Sequence, residues 1–116
     1  MSDIESLKQA LAVSPDNVPL LLLLGDAYLS EFRFEEARAV FDKALEVEPG
    51  GCHARTQLAQ LLDLEGKSSE AILRLEQVCA DNPLFGPAWI LRSRLALVEN
   101  DGKLAREYYD RAIEID

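Results

Sequence analysis

Cys52 and His53 stand side by side, and with Cys79 they are the side chains whose chemistry could go beyond charge pairing and packing. A thiol beside an imidazole could ligate zinc or serve as a nucleophile, and glutamates and aspartates lie nearby in sequence. The spacing argues against both uses, because the pair opens a helix and no further cysteine or histidine follows at a zinc-ligand interval. Cys79 takes a slot filled by Leu45 and Ile113 one period away, which is the place of a small core residue. A single histidine removes most acid–base constellations, and the chain holds no glycine-rich phosphate loop, no G-x-S-x-G and no H-E-x-x-H. The expectation is a protein that is not an enzyme and uses no metal and no cofactor.

The formal net charge of -9, from 21 acids against 12 bases, repels phosphate backbones and anionic lipid. Nucleic-acid and membrane partners are therefore not expected, and basic or apolar ones fit better. Hydrophobic residues at 48% supply enough material for a core and exclude a disordered chain. The apolar run from Val18 to Leu24 falls far short of the roughly 20 residues needed to span a bilayer. The start, Met1 to Glu5, has neither the positive nor the apolar region of a secretory signal, which predicts a cytoplasmic protein with both cysteines reduced.

The elements that carry these residues follow from a period. Pro15, Pro49 and Pro83 are 34 residues apart, as are Ala37, Ala71 and Ala105. Leu20 to Leu24 alone could be strand or helix, but the aligned stretches Ala54 to Gly66 and Ala88 to Asn100 have spaced apolar residues without alternation, so the slot is helical. Asp16 or Asn17 caps a helix with Pro19 in its first turn, Pro87 repeats that role, and Glu65 to Ser68 and Asn100 to Gly102 supply turns. The reading predicts helices over 3–14, 18–31, 34–48, 52–65, 68–81, 86–99 and 102–115, the first started by a capping box at Ser2 and Glu5. Residues 3–14 match only the second half of a repeat, with Leu7, Ala10, Leu11 and Pro15 in register with Phe41, Ala44, Leu45 and Pro49.

The pattern Leu24-Gly25-x2-Tyr28, Ala37-x3-Phe41, Ala44-Leu45 and Pro49 resembles the tetratricopeptide repeat. The next repeat offers Leu58-Ala59-x2-Leu62, Gly66, Ala71-x3-Leu75 and Pro83, and the third Trp89, Ala105-x3-Tyr109 and Ala112-Ile113. The resemblance implies an all-α fold, a right-handed solenoid of about seven helices in antiparallel pairs. It implies one domain over 1–116: a half repeat at 1–17, full repeats at 18–51 and 52–85, and a truncated one at 86–116. Gly25, Ala59 and Ser93 would be small where paired helices approach, with Tyr28, Leu62, Phe41, Leu75, Tyr109 and Trp89 filling the gaps. Arg55 and Arg92 depart from the pattern by standing at apolar slots, so each must reach solvent or a carboxylate.

The resemblance further implies a concave groove lined by the first helices of successive repeats. By register it would show Leu22, Asp26 and Leu29, then His53, Thr56, Gln60 and Asp63, then Ile90, Arg94 and Leu97. Leu22 and Asp26 replace the cation and amide with which some members clamp a carboxylate tail, so an amphipathic or weakly basic protein segment is the expected ligand. The function expected is a protein-interaction scaffold. The alternatives are self-association through Tyr108, Tyr109, Ala112 and Ile113, because the sequence ends at Asp116, just before the next proline is due, or an N-terminal adaptor of a larger protein such as an ATPase.

Overall fold

Asn17 starts the second helix in the way the sequence suggests: its side-chain oxygen accepts from the Leu20 amide at 3.1 Å, and Pro19 occupies the first turn, where its missing N–H costs nothing. Asp101 does the same for the last helix, accepting from the Leu104 amide at 3.0 Å. The computed structural model describes residues 3–115, so the capping box at Ser2 and the terminal Asp116 lie outside the described residues. Within them are seven helices and no strand: α1 (Asp3–Val13), α2 (Val18–Ser30), α3 (Phe34–Val47), α4 (Cys52–Leu64), α5 (Ser68–Asp81), α6 (Gly86–Val98) and α7 (Gly102–Ile115). Each ends within one residue of its expected place. No helix among the described residues is long and apolar enough to cross a membrane.

The chain divides into two compact units, one up to Leu58 and one from Ala59, so the boundary falls within α4. In the N-terminal unit α2 packs on both α1 and α3. Its core holds Leu21, Leu24, Tyr28, Ala37, Phe41 and Ala44. Gly25 is the tight point, for a Cβ built there would lie 2.5 Å from the Phe41 ring. In the C-terminal unit α6 packs on α5 and α7, around Leu75, Val78, Cys79, Leu91 and Leu95. Ser93 fills the slot equivalent to Gly25, and its hydroxyl donates to the Ala105 carbonyl at 2.7 Å, which satisfies a buried polar group at the crossing.

Tyr109 departs from the expected packing. Its counterparts Phe41 and Leu75 are fully enclosed, whereas Tyr109 is 51% exposed, because among the described residues no element lies over that side of α7. Burial pushes the Cys79 thiol up to about 11, so this core cysteine is protonated at neutral pH. Both cysteines are free thiols.

The turns after α2, α4 and α6 share one backbone design. Arg33 N–H donates to Tyr28 O, Lys67 N–H to Leu62 O and Asp101 N–H to Ala96 O, at 2.8–2.9 Å. Phe32, Gly66 and Asn100 precede those donors with φ of 61°, 86° and 66°. This is the left-handed residue that closes a helix, normally glycine or asparagine. Phe32 occupies it at 78% exposure, its ring meeting Phe34 edge-on at 6.1 Å. Phe32→Gly is expected to raise stability by about 1 kcal/mol, because the left-handed penalty on a residue with a Cβ exceeds what one exposed ring contact returns. Thermal unfolding followed by circular dichroism checks this, and a lowered midpoint would contradict it.

Candidate functional site

On α2, residues 22, 26 and 29 share one face by helical spacing, and at its centre Asp26 is held from α4. His53 Nε2 lies 2.9 and 3.1 Å from the two Asp26 carboxylate oxygens, and Gln57 Nε2 donates to Oδ1 at 2.8 Å. A carboxylate oxygen accepts in such a contact, so His53 Nε2 donates its N–H to Asp26. His53 and Gln57 are one helical turn apart, which is why both reach the same partner. The Asp26 side chain remains 36% exposed, and the half-buried Leu22 and Leu29 flank it. A notch of about 90 Å³ opens beside it, with Val18, Leu22, Ala44, Cys52 and His53 in its wall.

Sequence reasoning named Asp26 and His53 separately and missed Gln57. The i, i+4 spacing from His53 was the signal available for it. Thr56 must be corrected: it is 5% exposed with its hydroxyl buried, so its side chain is enclosed by the protein and offers nothing to a partner. In the C-terminal unit Gln60 and Asp63 are half-buried, and Asp63 accepts from the Ser68 hydroxyl at 2.8 Å. Ile90, Arg94 and Leu97 form an exposed strip along α6, with Ile90 at 44% and Leu97 at 61%. Among the described residues, no three side chains of His, Cys, Asp or Glu come together as a metal-binding group.

Arg92 meets the condition set for it. It is 5% exposed, with Nη1 3.2 Å from Glu99 and Nη2 3.9 Å from Glu76, and its guanidinium lies 4.9 Å from the Tyr108 ring centre. A charge at an otherwise apolar slot is thus compensated on two sides.

The model for the tetratricopeptide repeat matches residues 4–62 and again 28–95. The chain belongs to the tetratricopeptide repeat family. Superkiller complex protein 3 of Homo sapiens is 28% identical to it over 119 residues, covering 96% of this chain and 8% of that protein. A thermophilic tetratricopeptide repeat protein of Thermus thermophilus superposes with a TM-score of 0.84 at 22% identity, over 96% of this chain and 62% of the other. A MamA crystal structure gives 0.73 at 21% identity, over 97% and 66%. This chain therefore spans a small fraction of the human relative and somewhat under two thirds of the two solved chains. The structural likenesses establish the fold, an all-α helical repeat of the solenoid class. Tetratricopeptide repeats serve generally as scaffolds for protein partners, and that general role is the one the family gives this chain.

Proposed function

We propose that this tetratricopeptide repeat chain holds an amphipathic, weakly basic protein segment against the α2–α4 face of its N-terminal unit. One observation carries the reading: the Asp26 carboxylate is fixed by His53 and Gln57 yet still partly exposed between Leu22 and Leu29. A carboxylate has about four acceptor positions, so a held one that stays open can take a Lys or Arg without being ordered anew. Leu22 and the adjoining notch accept the apolar side of the same segment. The exposed strip of Ile90, Arg94 and Leu97 gives the C-terminal unit a second apolar face of its own for partner contact.

A helical peptide with a leucine stripe and a lysine face, titrated into the full chain, tests this. Asp26→Asn with Leu22→Glu is expected to weaken binding by roughly tenfold or more. Equal binding to the native and altered chains would remove this face as the site. Self-association is a second reading, favoured by Tyr109 and Ile113, which stand exposed one turn apart on α7.

A further inference from the structure

The C-terminal unit contains a cavity of about 390 Å³ bounded by α5, α6 and α7, with Glu76, Cys79, Trp89, Arg92, Tyr108 and Arg111 among its lining. None of these residues lies on the Ile90, Arg94 and Leu97 strip, because Trp89 and Arg92 emerge from a different side of α6. We infer that this cavity is a binding site for a single carboxylate carried by an otherwise apolar peptide segment of a partner protein. The inference goes beyond the reading above and rests on different residues.

Four groups form the recognition element. The Trp89 and Tyr108 rings are 5.7 Å apart and tilted by 32°, Arg92 sits 4.9 Å from the Tyr108 centre, and Arg111 sits 5.4 Å from the Trp89 centre. Trp89 is held in place by its indole N–H, which donates to the Pro83 carbonyl at 2.9 Å. Each ring already has a guanidinium against it, so a cationic ligand would compete with an arginine for its ring. A guanidinium stacked on a ring keeps its N–H edge for planar, two-point recognition of a carboxylate.

The charge balance points the same way. The lining carries Arg92, Arg111 and Glu76, and Glu99 lies 3.2 Å from Arg92 Nη1, so the site is balanced in charge within a chain of net charge -9 and becomes locally positive when Glu76 turns away. Arg92 Nε is buried with no acceptor, and Glu76 lies 3.9 Å from Nη2, beyond hydrogen-bond contact, with its side chain half exposed. An incoming carboxylate therefore replaces a loose partner that is free to swing into water. The overall negative field disfavours a polyacidic tract or a dianionic phosphate more than it disfavours one carboxylate. Cys79, Ala80 and Pro83 give the rest of the wall to apolar neighbours of that acid.

Trp89 is the only tryptophan in the chain, so its emission reports occupancy of this cavity directly. The probe is a short peptide, acetylated and amidated, with one glutamate between leucines, titrated into the full chain. A saturable change in emission is expected, with the glutamine version about tenfold weaker or worse. A free C-terminal carboxylate on the glutamine peptide tells whether a chain end serves as well as a side chain. Arg92→Leu, which installs the residue present at Leu24 and Leu58, and the surface change Arg111→Ala should each weaken binding severalfold while thermal unfolding shows the fold retained. Three results would overturn the inference: no emission change with the glutamate peptide, equal response to glutamate and glutamine, or binding of a phosphoserine version in preference to both.

Discussion

Phe41→Ala is expected to destabilise the N-terminal unit by about 3–5 kcal/mol, the range for removing a fully enclosed aromatic ring. The ring is 0% exposed, packs directly over Gly25 and lies 6.5 Å from the His53 ring. Collapse around the void is opposed because the ring meets backbone, not a side chain, on the Gly25 side. Gly25→Ala approaches the same contact from the other direction. A Cβ placed 2.5–2.9 Å from three ring carbons must push apart α2 and α3, at a cost of roughly 1–3 kcal/mol. The two changes must couple: in a Phe41→Leu background, Gly25→Ala should cost markedly less than in the native chain. Urea unfolding followed by circular dichroism over the four-member cycle measures this, and additive costs would show that the Gly25–Phe41 contact is not the limiting one.

The second large effect concerns Arg92. Neutralising both partners, Glu76→Gln with Glu99→Gln, leaves a guanidinium that is 5% exposed without an anion and is expected to cost about 3 kcal/mol. Arg92→Leu should change stability by less than about 1 kcal/mol, because the carboxylates left behind on Glu76 and Glu99 are about half exposed and stay solvated, while leucine suits the apolar slot. The order matters more than either value: losing the carboxylates must hurt more than losing the arginine. Urea unfolding followed by Trp89 emission, which reports on the C-terminal unit, compares the variants. A stability loss in Arg92→Leu as large as in the double glutamine variant would contradict the account.

These two sites mark how far the sequence could be read. Helix positions were legible to within a residue because caps, prolines and the 34-residue period all act along the chain. The small residue at Gly25 and the large one at Phe41 were legible for the same reason, since the repeat sets which slots face each other. Arg92 was legible as a charge needing carboxylates, but Glu76 and Glu99 are not identifiable from spacing. What escaped was contact between side chains distant in sequence. Gln57 reaches Asp26 across 31 positions, and the Trp89–Tyr108 pair with its two arginines depends on ring orientations that no periodicity encodes. Tyr109 misled because register gives a slot and not the neighbour that would cover it. Thr56 misled because helical spacing gives a direction but not how deeply a short side chain sits.

The three helix-closing turns have a consequence for how such a chain can be edited. Their backbone hydrogen bonds are the same although the left-handed residue is phenylalanine, glycine or asparagine, so each turn is an interchangeable joint. Joining Phe32 directly to Lys67 would delete 34 residues, and joining Gly66 to Asp101 would delete the next 34, each leaving a complete joint of the same form behind. Recombination at these points changes the number of repeats without having to invent a new loop, which makes length the easiest property of this molecule to vary.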